Sequence, residues 1–299
     1  MIYLKLALMA VCWSGVFPAV SIVLESMGLF TSVFLRFSGA AVVLVTLLLL
    51  RDRRLPRLSP RELVMVIGLG LLGITIYNTL FTAGLALVEA SRAALIVPTN
   101  PAFTALFAAL LLRERLGATR AAGIALCVLG ALWVLGRGDL RSFTELRFGV
   151  GELVLVACIF MWSAYTLLGR VALSTLSPLA LTTLVMAAGT LPLAFPAWVE
   201  GASLTAVTWR SWAALGYLVV FGTVIPFLWF YEGVKALGAA RASQWINLVP
   251  PLAVLESIWL LDEPLSPGLA VGTVLVVAGL YLTNKPKKTK KGSEQFSGR

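Results

Sequence analysis

The feature that most constrains this chain is a series of apolar runs, each about twenty residues long. Residues 63–88 and 118–135 are two of them, and the mean hydropathy of the whole chain is +0.93. The hydrocarbon core of a bilayer is ~30 Å thick, and a helix of about 20 residues crosses it. Because lipid offers no partner for backbone N–H and C=O groups, such runs predict transmembrane α-helices. A water-soluble enzyme is therefore excluded.

Ten such runs predict an all-α membrane protein with ten transmembrane helices. We place them at residues 3–24, 29–50, 63–88, 92–112, 118–136, 150–172, 178–199, 211–235, 242–261 and 267–284. Only Lys5 precedes the apolar part of the first run, and no small-residue cleavage site follows it. We therefore expect this run to stay as the first helix and not to be removed as a signal peptide.

The basic residues between the runs predict the orientation in the membrane. Alternate loops and the tail carry sixteen Lys and Arg residues on one side, leaving out Arg299, and five on the other. The positive-inside rule then places both termini in the cytoplasm, with the chain in the inner (plasma) membrane. The net charge of +10 follows this pattern, so no nucleic-acid partner is expected. We expect residues 286–299 to form a disordered basic tail.

The chain also matches itself without gaps when it is shifted by 149 residues. The matched pairs include Trp13 with Trp162, Ser14 with Ser163, Gly73 with Gly222, Phe81 with Phe230, Pro101 with Pro250, Glu114 with Glu263, Gly123 with Gly272 and Gly130 with Gly279. This register predicts two five-helix repeats, residues 1–137 and 149–285. An odd number of helices inverts the second repeat, and inverted repeats around a central cavity are typical of alternating-access transporters.

Two segments carry a family resemblance. Residues 90–101 with Glu114, and residues 240–251 with Glu263, resemble the fourth-span motif of the drug/metabolite transporter superfamily. With a Trp-Ser pair opening each repeat, residues 3–284 resemble its ten-span EamA-type branch, and within it the bacterial exporters of amino acids, including aromatic ones. The resemblance implies a solute exporter whose central cavity is lined by both repeats. It is specific for the family and weak for the solute.

Polar and aromatic residues inside the runs are the candidate substrate-binding residues. They are Trp13, Tyr77, Asn78, Phe81, Asn100, Trp162, Ser163, Tyr165, Gln244, Trp245 and Asn247. Amides at this depth would hold the polar part of a solute, and a Trp and Tyr wall suits an amphipathic solute with an apolar side chain. The alternatives are amide clamps between helices and ordinary aromatic packing.

Prolines at matched places are the candidate hinges: Pro98 and Pro101 in the fourth run, Pro250 and Pro251 in the ninth. A proline inside a helix removes a donor and leaves a carbonyl unbonded about one turn earlier. A simple kink is the alternative.

Charged residues inside the runs are few. Arg36 and Glu256 lie at similar depth below the outer surface, so we predict that they form an ion pair; the alternative is that each reaches the interface separately. Glu114 and Glu263 end their helices, where we expect them to accept N–H groups from a following helix start. Gly123 and Gly130, like Gly272 and Gly279, recur at seven residues, which indicates either packing of runs 5 and 10 or a dimer interface.

No cofactor or metal is expected. The three cysteines have no pairing or ligand pattern, and the chain has no histidine. No Walker motif or catalytic dyad stands out, so we predict a non-enzyme: a secondary transporter exporting small metabolites, with amino acids favoured, that functions as a monomer in the bilayer. The alternative is a proton-coupled multidrug antiporter for cationic compounds, for which Glu256 would be the deep carboxylate.

Overall fold

The computed structural model describes residues 1–53, 55–100, 117–135, 149–201, 204–238, 242 and 244–284. Across these residues the secondary structure is helical, and no β-strand occurs among them. The all-α class is therefore confirmed. Pro101, Glu114 and the predicted tail 286–299 lie outside the described residues.

The helices follow the apolar runs. In chain order they are α1 (Ile2–Leu24), α2 (Leu29–Asp52), α3 (Pro60–Leu85), α4 (Ala90–Ile96), α5 (Ala118–Leu135), α6 (Val150–Ala172), α7 (Pro178–Glu200), α8 (Trp209–Leu237), α9 (Val249–Leu261) and α10 (Pro267–Asn284). Within the described part of the chain, α1, α2, α3, α7 and α8 are long and apolar enough to cross a membrane, while α5, α6, α9 and α10 carry shorter apolar stretches.

Local caps explain where several helices begin. Ser59 and Glu62 form a capping box at the start of α3, with Pro60 in its first turn. Ser177 accepts from the Ala180 N–H at the start of α7. These side chains satisfy backbone donors that have no partner within the helix.

Two further helix starts are capped by carboxylates from distant parts of the chain. Glu200, at the end of α7, accepts from the backbone N–H groups of Phe30 and Thr31 at 3.1 and 2.7 Å. Glu263, just past α9, accepts from Ala90 and Ser91 at 2.8 and 2.9 Å. The expectation that Glu263 accepts backbone N–H groups is confirmed. The helix that it caps is α4, and not the one that follows it in sequence.

The long helices are interrupted by irregular turns. A π-helical segment, Gly70–Ile76, lies within α3, and another, Val220–Val224, lies within α8. A shift of 149 residues brings the first onto residues 219–225, which contain the second. In addition, α1 breaks at Gly15, between Ile2–Ser14 and Val16–Leu24. Single π-turns are frequent at functional sites.

The matched helices α5 and α10 pack against each other. Gly123 lies against Thr283, and Gly130 lies against Val276, so the two helices run antiparallel. A Cβ at Gly279 would lie 2.5 Å from the Cys127 backbone nitrogen, which only glycine tolerates at this close approach. The packing interpretation of the four matched glycines is thus confirmed. They are occupied by contacts within one chain and not by a dimer interface.

Two other matched pairs, α2 with α7 and α4 with α9, are also antiparallel neighbours. Glu200 of α7 reaches Thr31 of α2, while Thr183 of α7 bonds the Leu44 carbonyl further along α2. The end of α9 likewise meets the start of α4.

Glycines bring the four central helices close together. Leu6 of α1 packs on Gly233 of α8, and the corresponding contact in the other half is Leu155 of α6 on Gly84 of α3. Helix α1 therefore packs closely on α8, and α6 packs closely on α3.

Candidate functional site

A cluster of aromatic side chains fills the junction of α1, α3, α6 and α8. The aromatic cluster comprises Trp13, Phe17, Tyr77, Phe81, Trp162, Tyr165, Phe227, Phe230 and Tyr231. At its centre Trp13 and Trp162, which the repeat register pairs, meet edge-on at 5.8 Å and 84°. Edge-to-face pairs of this kind contribute about 0.5–1.5 kcal/mol beyond area burial.

Members of the aromatic cluster differ in exposure. Phe227, Phe230 and Tyr165 are at most 4% exposed, whereas Trp13, Tyr77 and Trp162 are only half-buried. The ring of Tyr77 lies 5.1 Å from that of Trp162. The half-buried rings thus offer faces to a bound molecule, and the buried rings hold them in place.

Five of the predicted site residues come together in this cluster: Trp13, Tyr77, Phe81, Trp162 and Tyr165.

Trp245 is the remaining aromatic candidate, and its role in the site stays a prediction. Its described ring contact is with Tyr3 at 6.2 Å, near the start of α1. Trp245 sits in the 3₁₀ segment Gln244–Leu248 that precedes α9, and this segment packs on the first part of α1. Nothing in the hydropathy pattern indicates that segment.

The predicted polar residues are mostly bonded to backbone. Asn78 Nδ2 donates to the Gly73 carbonyl at 2.7 Å, Ser163 Oγ to the carbonyl of Ile159 at 2.8 Å, and Asn247 Nδ2 to that of Leu280 at 3.4 Å. Asn100 is buried, and its Oδ1 has no hydrogen-bond partner. The side chain of Gln244 lies outside the described part of the chain.

The predicted hinge prolines border changes of helix type. Pro98 lies in the 3₁₀ turn Val97–Thr99 that continues α4. Pro250 and Pro251 lie in the first turn of α9, directly after the 3₁₀ segment. A first-turn proline costs little because its missing N–H would have no partner there. In α9 these prolines therefore mark the start of the α-helix and do not interrupt its interior. Their role as hinges stays a prediction.

The predicted Arg36–Glu256 ion pair is not formed. Arg36 Nε donates to Thr223 Oγ1 at 2.9 Å, and its Nη2 donates to the Gly222 carbonyl at 3.1 Å. Glu256 Oε1 accepts from Ser14 Oγ at 2.8 Å, and Oε2 has no hydrogen-bond partner. The physical reason lies in α8, where the π-helical segment presents its Gly222 carbonyl to Arg36.

Tyr217 is a residue of this region that sequence reasoning missed. Its hydroxyl donates to the Cys12 carbonyl at 2.9 Å, beside Gly15 where α1 breaks. It is within electrostatic reach of both Arg36 and Glu256. The break at Gly15 is not visible in the apolar sequence, so no signal pointed to this contact. Phe230 was also passed over, although its match with Phe81 in the repeat could have identified it.

A second polar group lies at the start of α6. Arg92 Nη2 and Glu152 Oε1 form an ion pair at 3.1 Å, and both side chains are less than 10% exposed. The same nitrogen donates to the Val134 carbonyl at 3.0 Å. This ion pair joins α4, α5 and α6 close to the point where Glu263 caps α4. Sequence reasoning placed Arg92 at a helix start and missed Glu152.

Comparisons with known proteins agree with this architecture. The sequence profile of the EamA-like transporter family matches residues 1–136 and 149–285. The chain is 29% identical over 247 residues to "Uncharacterized transporter YyaM" of Bacillus subtilis, covering 82% of this chain and 81% of the relative.

A second relative is the "Probable terminal-alkyne amino-acid exporter" of Streptantibioticus cattleyicolor, at 30% identity over 299 residues, covering 98% of this chain and 97% of the relative. A solved crystal structure superposes with a TM-score of 0.66 at 22% identity, covering 94% and 96% of the two chains, and supports the fold alone. The chain is therefore a membrane transporter that belongs to the EamA-like transporter family.

Proposed function

We propose that this transporter exports small metabolites, amino acids first among them, by alternating access between two inverted five-helix repeats. The observation that carries the proposal is the antiparallel contact of matched helices: α5 with α10, α2 with α7, and α4 with α9. Two copies of one unit that meet in this way can exchange conformations, which opens the site first to one side and then to the other.

The aromatic cluster is where we place the solute. It lies where helices of both repeats meet, and its half-buried rings, Trp13, Tyr77 and Trp162, belong to three different helices. Such a surface suits an amphipathic solute with an apolar side chain. The relative named as a probable amino-acid exporter supports this class of solute.

The Arg92–Glu152 ion pair supports a closed outer side. With ten crossings and cytoplasmic termini, the starts of α4 and α6 lie at the outer surface, where this buried pair and the Glu263 cap hold α4, α6 and α9 together. Opening to the outside would then have to separate the pair. We further propose that the protein acts as a monomer in the inner membrane, has no enzymatic activity and binds no nucleic acid.

The test is efflux of labelled amino acids from proteoliposomes that contain the purified protein. We expect Trp13→Ala to lower the efflux of an aromatic amino acid about tenfold, since a buried aromatic contact contributes about 1.5–3 kcal/mol and 1.4 kcal/mol is a factor of ten. Trp259→Ala is the matched control, because Trp259 is 80% exposed on α9.

Absence of efflux for every amino acid tested would rule out amino acids as the solute. One observation favours the alternative, a proton-coupled antiporter for cations: Glu256 Oε2 is unbonded on a helix that we place in the membrane. Uptake of a lipophilic cation that needs a pH gradient, and that is lost in Glu256→Gln, would establish that alternative.

A further inference from the structure

Arg36, which is buried, and Glu256, which is half-buried, carry opposite charges that are not paired with each other. Arg36 is 5% exposed, and its hydrogen bonds go to a hydroxyl and a carbonyl, both neutral. Glu256 is bonded only to the Ser14 hydroxyl. Among the described residues, none of opposite charge pairs with either of them. Charged groups inside a membrane protein are costly, so an unpaired cation and an unpaired anion both require an explanation.

Both charges border the aromatic cluster. Tyr217 is within electrostatic reach of each of them, and its hydroxyl lies at the break of α1. Ser14, which holds Glu256, directly follows Trp13 of the cluster. Arg36 bonds the Gly222 carbonyl of α8, and Gly222 lies against Val16, the neighbour of Phe17 of the cluster. A cation and an anion thus both lie beside the aromatic cluster.

We propose that Arg36 and Glu256 bind the two charged ends of a zwitterion, with the α-carboxylate at Arg36 and the α-ammonium group at Glu256. The inference rests on the proposed function and narrows its solute class to amino acids with free amino and carboxyl groups and an apolar side chain. The guanidinium group is a planar fork that matches a carboxylate. Oε2 of Glu256 supplies an unbonded acceptor for the ammonium group, while Ser14 fixes the other oxygen.

A zwitterion fits these charges better than a simple ion. A cationic solute at Glu256 would leave Arg36 without a counter-charge and would be repelled by it. An anionic solute at Arg36 would leave Glu256 without a counter-charge and would be repelled by it. A zwitterion supplies both counter-charges together and adds no net charge to the protein interior. Until it binds, the hydrogen bonds from Arg36 to Thr223 and Gly222 lower the cost of the buried cation.

The test compares four ligands that share one ring. Phenylalanine carries both charges, phenethylamine lacks the carboxylate, 3-phenylpropionate lacks the ammonium group, and N-acetylphenylalanine has a neutral amide in its place. Binding to the purified full chain is followed by tryptophan fluorescence, because Trp13 and Trp162 lie in the cluster. We expect phenylalanine to bind roughly tenfold or more tightly than each analogue, the range for one charged hydrogen bond.

Variants then assign each end of the ligand. In Glu256→Gln the preference for phenylalanine over 3-phenylpropionate should fall about tenfold or more, while the preference over phenethylamine stays. In Arg36→Gln the preference for phenylalanine over phenethylamine should fall about tenfold or more, while the preference over 3-phenylpropionate stays. Glu89→Gln is the matched control, since Glu89 is an exposed acid at the start of α4, and it should leave both ratios unchanged. Arg36→Gln alters the donor to the Gly222 carbonyl and could disturb the fold. Its binding ratios are therefore used only if the variant elutes as a single monodisperse species in size-exclusion chromatography. If Arg36→Gln aggregates, the result for Glu256→Gln decides the test.

Three outcomes would contradict the inference, and they are distinguishable. If Glu256→Gln transports phenylalanine and keeps the wild-type ratios, the zwitterion site is wrong although amino-acid export stands. If Glu256→Gln keeps the ratios but its transport no longer responds to a pH gradient, the carboxylate carries a proton and does not bind the ammonium group. If the wild-type protein neither binds nor transports any amino acid, the proposed function fails first.

Discussion

The π-helical segments of α3 and α8 occupy matched places, yet their glycine carbonyls are bonded by different donors. The Gly73 carbonyl in α3 accepts from Asn78 Nδ2 at 2.7 Å, five residues further along the same helix. The matched carbonyl of Gly222 in α8 accepts from Arg36 Nη2 at 3.1 Å, and this donor comes from α2. The donor is thus a neutral amide of the same helix in α3 and a cation from another helix in α8.

Neither donor has a counterpart in the other half. The position that matches Asn78 is Phe227, and the position that matches Arg36 is Val185. A neutral amide is sufficient to satisfy such a carbonyl, as α3 shows, so the extra cost of a buried charge in α8 is not required by the backbone. The difference supports the proposal that Arg36 binds a solute, whereas Asn78 satisfies the backbone of α3.

The largest contrast is expected between Arg36→Met and Asn78→Leu. Arg36→Met should reduce amino-acid efflux at least about tenfold and leave thermal stability unchanged or raised. The reason is that the variant removes a desolvation penalty of several kcal/mol, which exceeds the roughly 1–3 kcal/mol cost of an unsatisfied carbonyl. Asn78→Leu should lower stability by about 1–3 kcal/mol, because the Gly73 carbonyl loses its donor in apolar surroundings.

Efflux from proteoliposomes and melting in detergent, measured for both variants, give the comparison. An Arg36→Met protein that melts below Asn78→Leu would show that the cation belongs to the structural frame of α8. An Arg36→Met protein with normal melting and normal transport would show that Arg36 is not part of the binding site.

A smaller contrast is expected between the glycines themselves. A Cβ at Gly73 would run into the buried ring of Tyr165, whereas a Cβ at Gly222 would lie 3.0 Å from Val16 Cγ2. Gly73→Ala should therefore cost about 1–3 kcal/mol through overpacking, and Gly222→Ala less than about 1 kcal/mol. Gly216→Ala is the control, since nothing lies within 4 Å of the position that its Cβ would take, and thermal melting measures all three. Equal losses at the first two glycines would mean that Tyr165 moves aside.

The smallest contrast concerns two threonines. Thr223 Oγ1 accepts from Arg36 Nε at 2.9 Å and donates to the Leu218 carbonyl at 2.8 Å, whereas Thr75 Oγ1 donates to the Gly189 carbonyl at 2.7 Å. Each Thr→Val variant should lower stability by only about 0.6 kcal/mol, the mean for such bonds between membrane helices. Thr223→Val alone should also weaken phenylalanine binding, because it loosens Arg36. An equal loss of binding in Thr75→Val would argue against this link.

The all-α class and the positions of the helices could be predicted because they depend on patterns that the sequence displays directly. Apolar runs indicate helices, and the shift of 149 residues predicted which helices correspond. That register pairs Trp13 with Trp162, which the structure places in contact. Five of the aromatic candidates lie together in the aromatic cluster, and they were chosen because they are aromatic residues inside apolar runs.

The rest depended on backbone irregularities that composition does not reveal. Residues 70–76 consist of ordinary apolar residues, threonine and glycine, yet they form a π-segment. The sequence does not reveal the π-helical segment of α8 either, so the Gly222 carbonyl could not be recognised as a partner of Arg36. Arg36 was therefore predicted to pair with Glu256. Trp245 was a candidate because it is an aromatic residue inside an apolar run, but it lies in a 3₁₀ segment and its described ring contact is with Tyr3.

The carboxylate caps of α2 and α4 have a consequence for how the protein is made. Glu200 bonds the start of a helix synthesised 169 residues earlier, and Glu263 does the same across 173 residues. While the ribosome is still translating, the first turns of α2 and α4 lack their acceptors. The N-terminal half therefore cannot reach its final state during its own insertion, and its maturation waits for the C-terminal half to leave the ribosome.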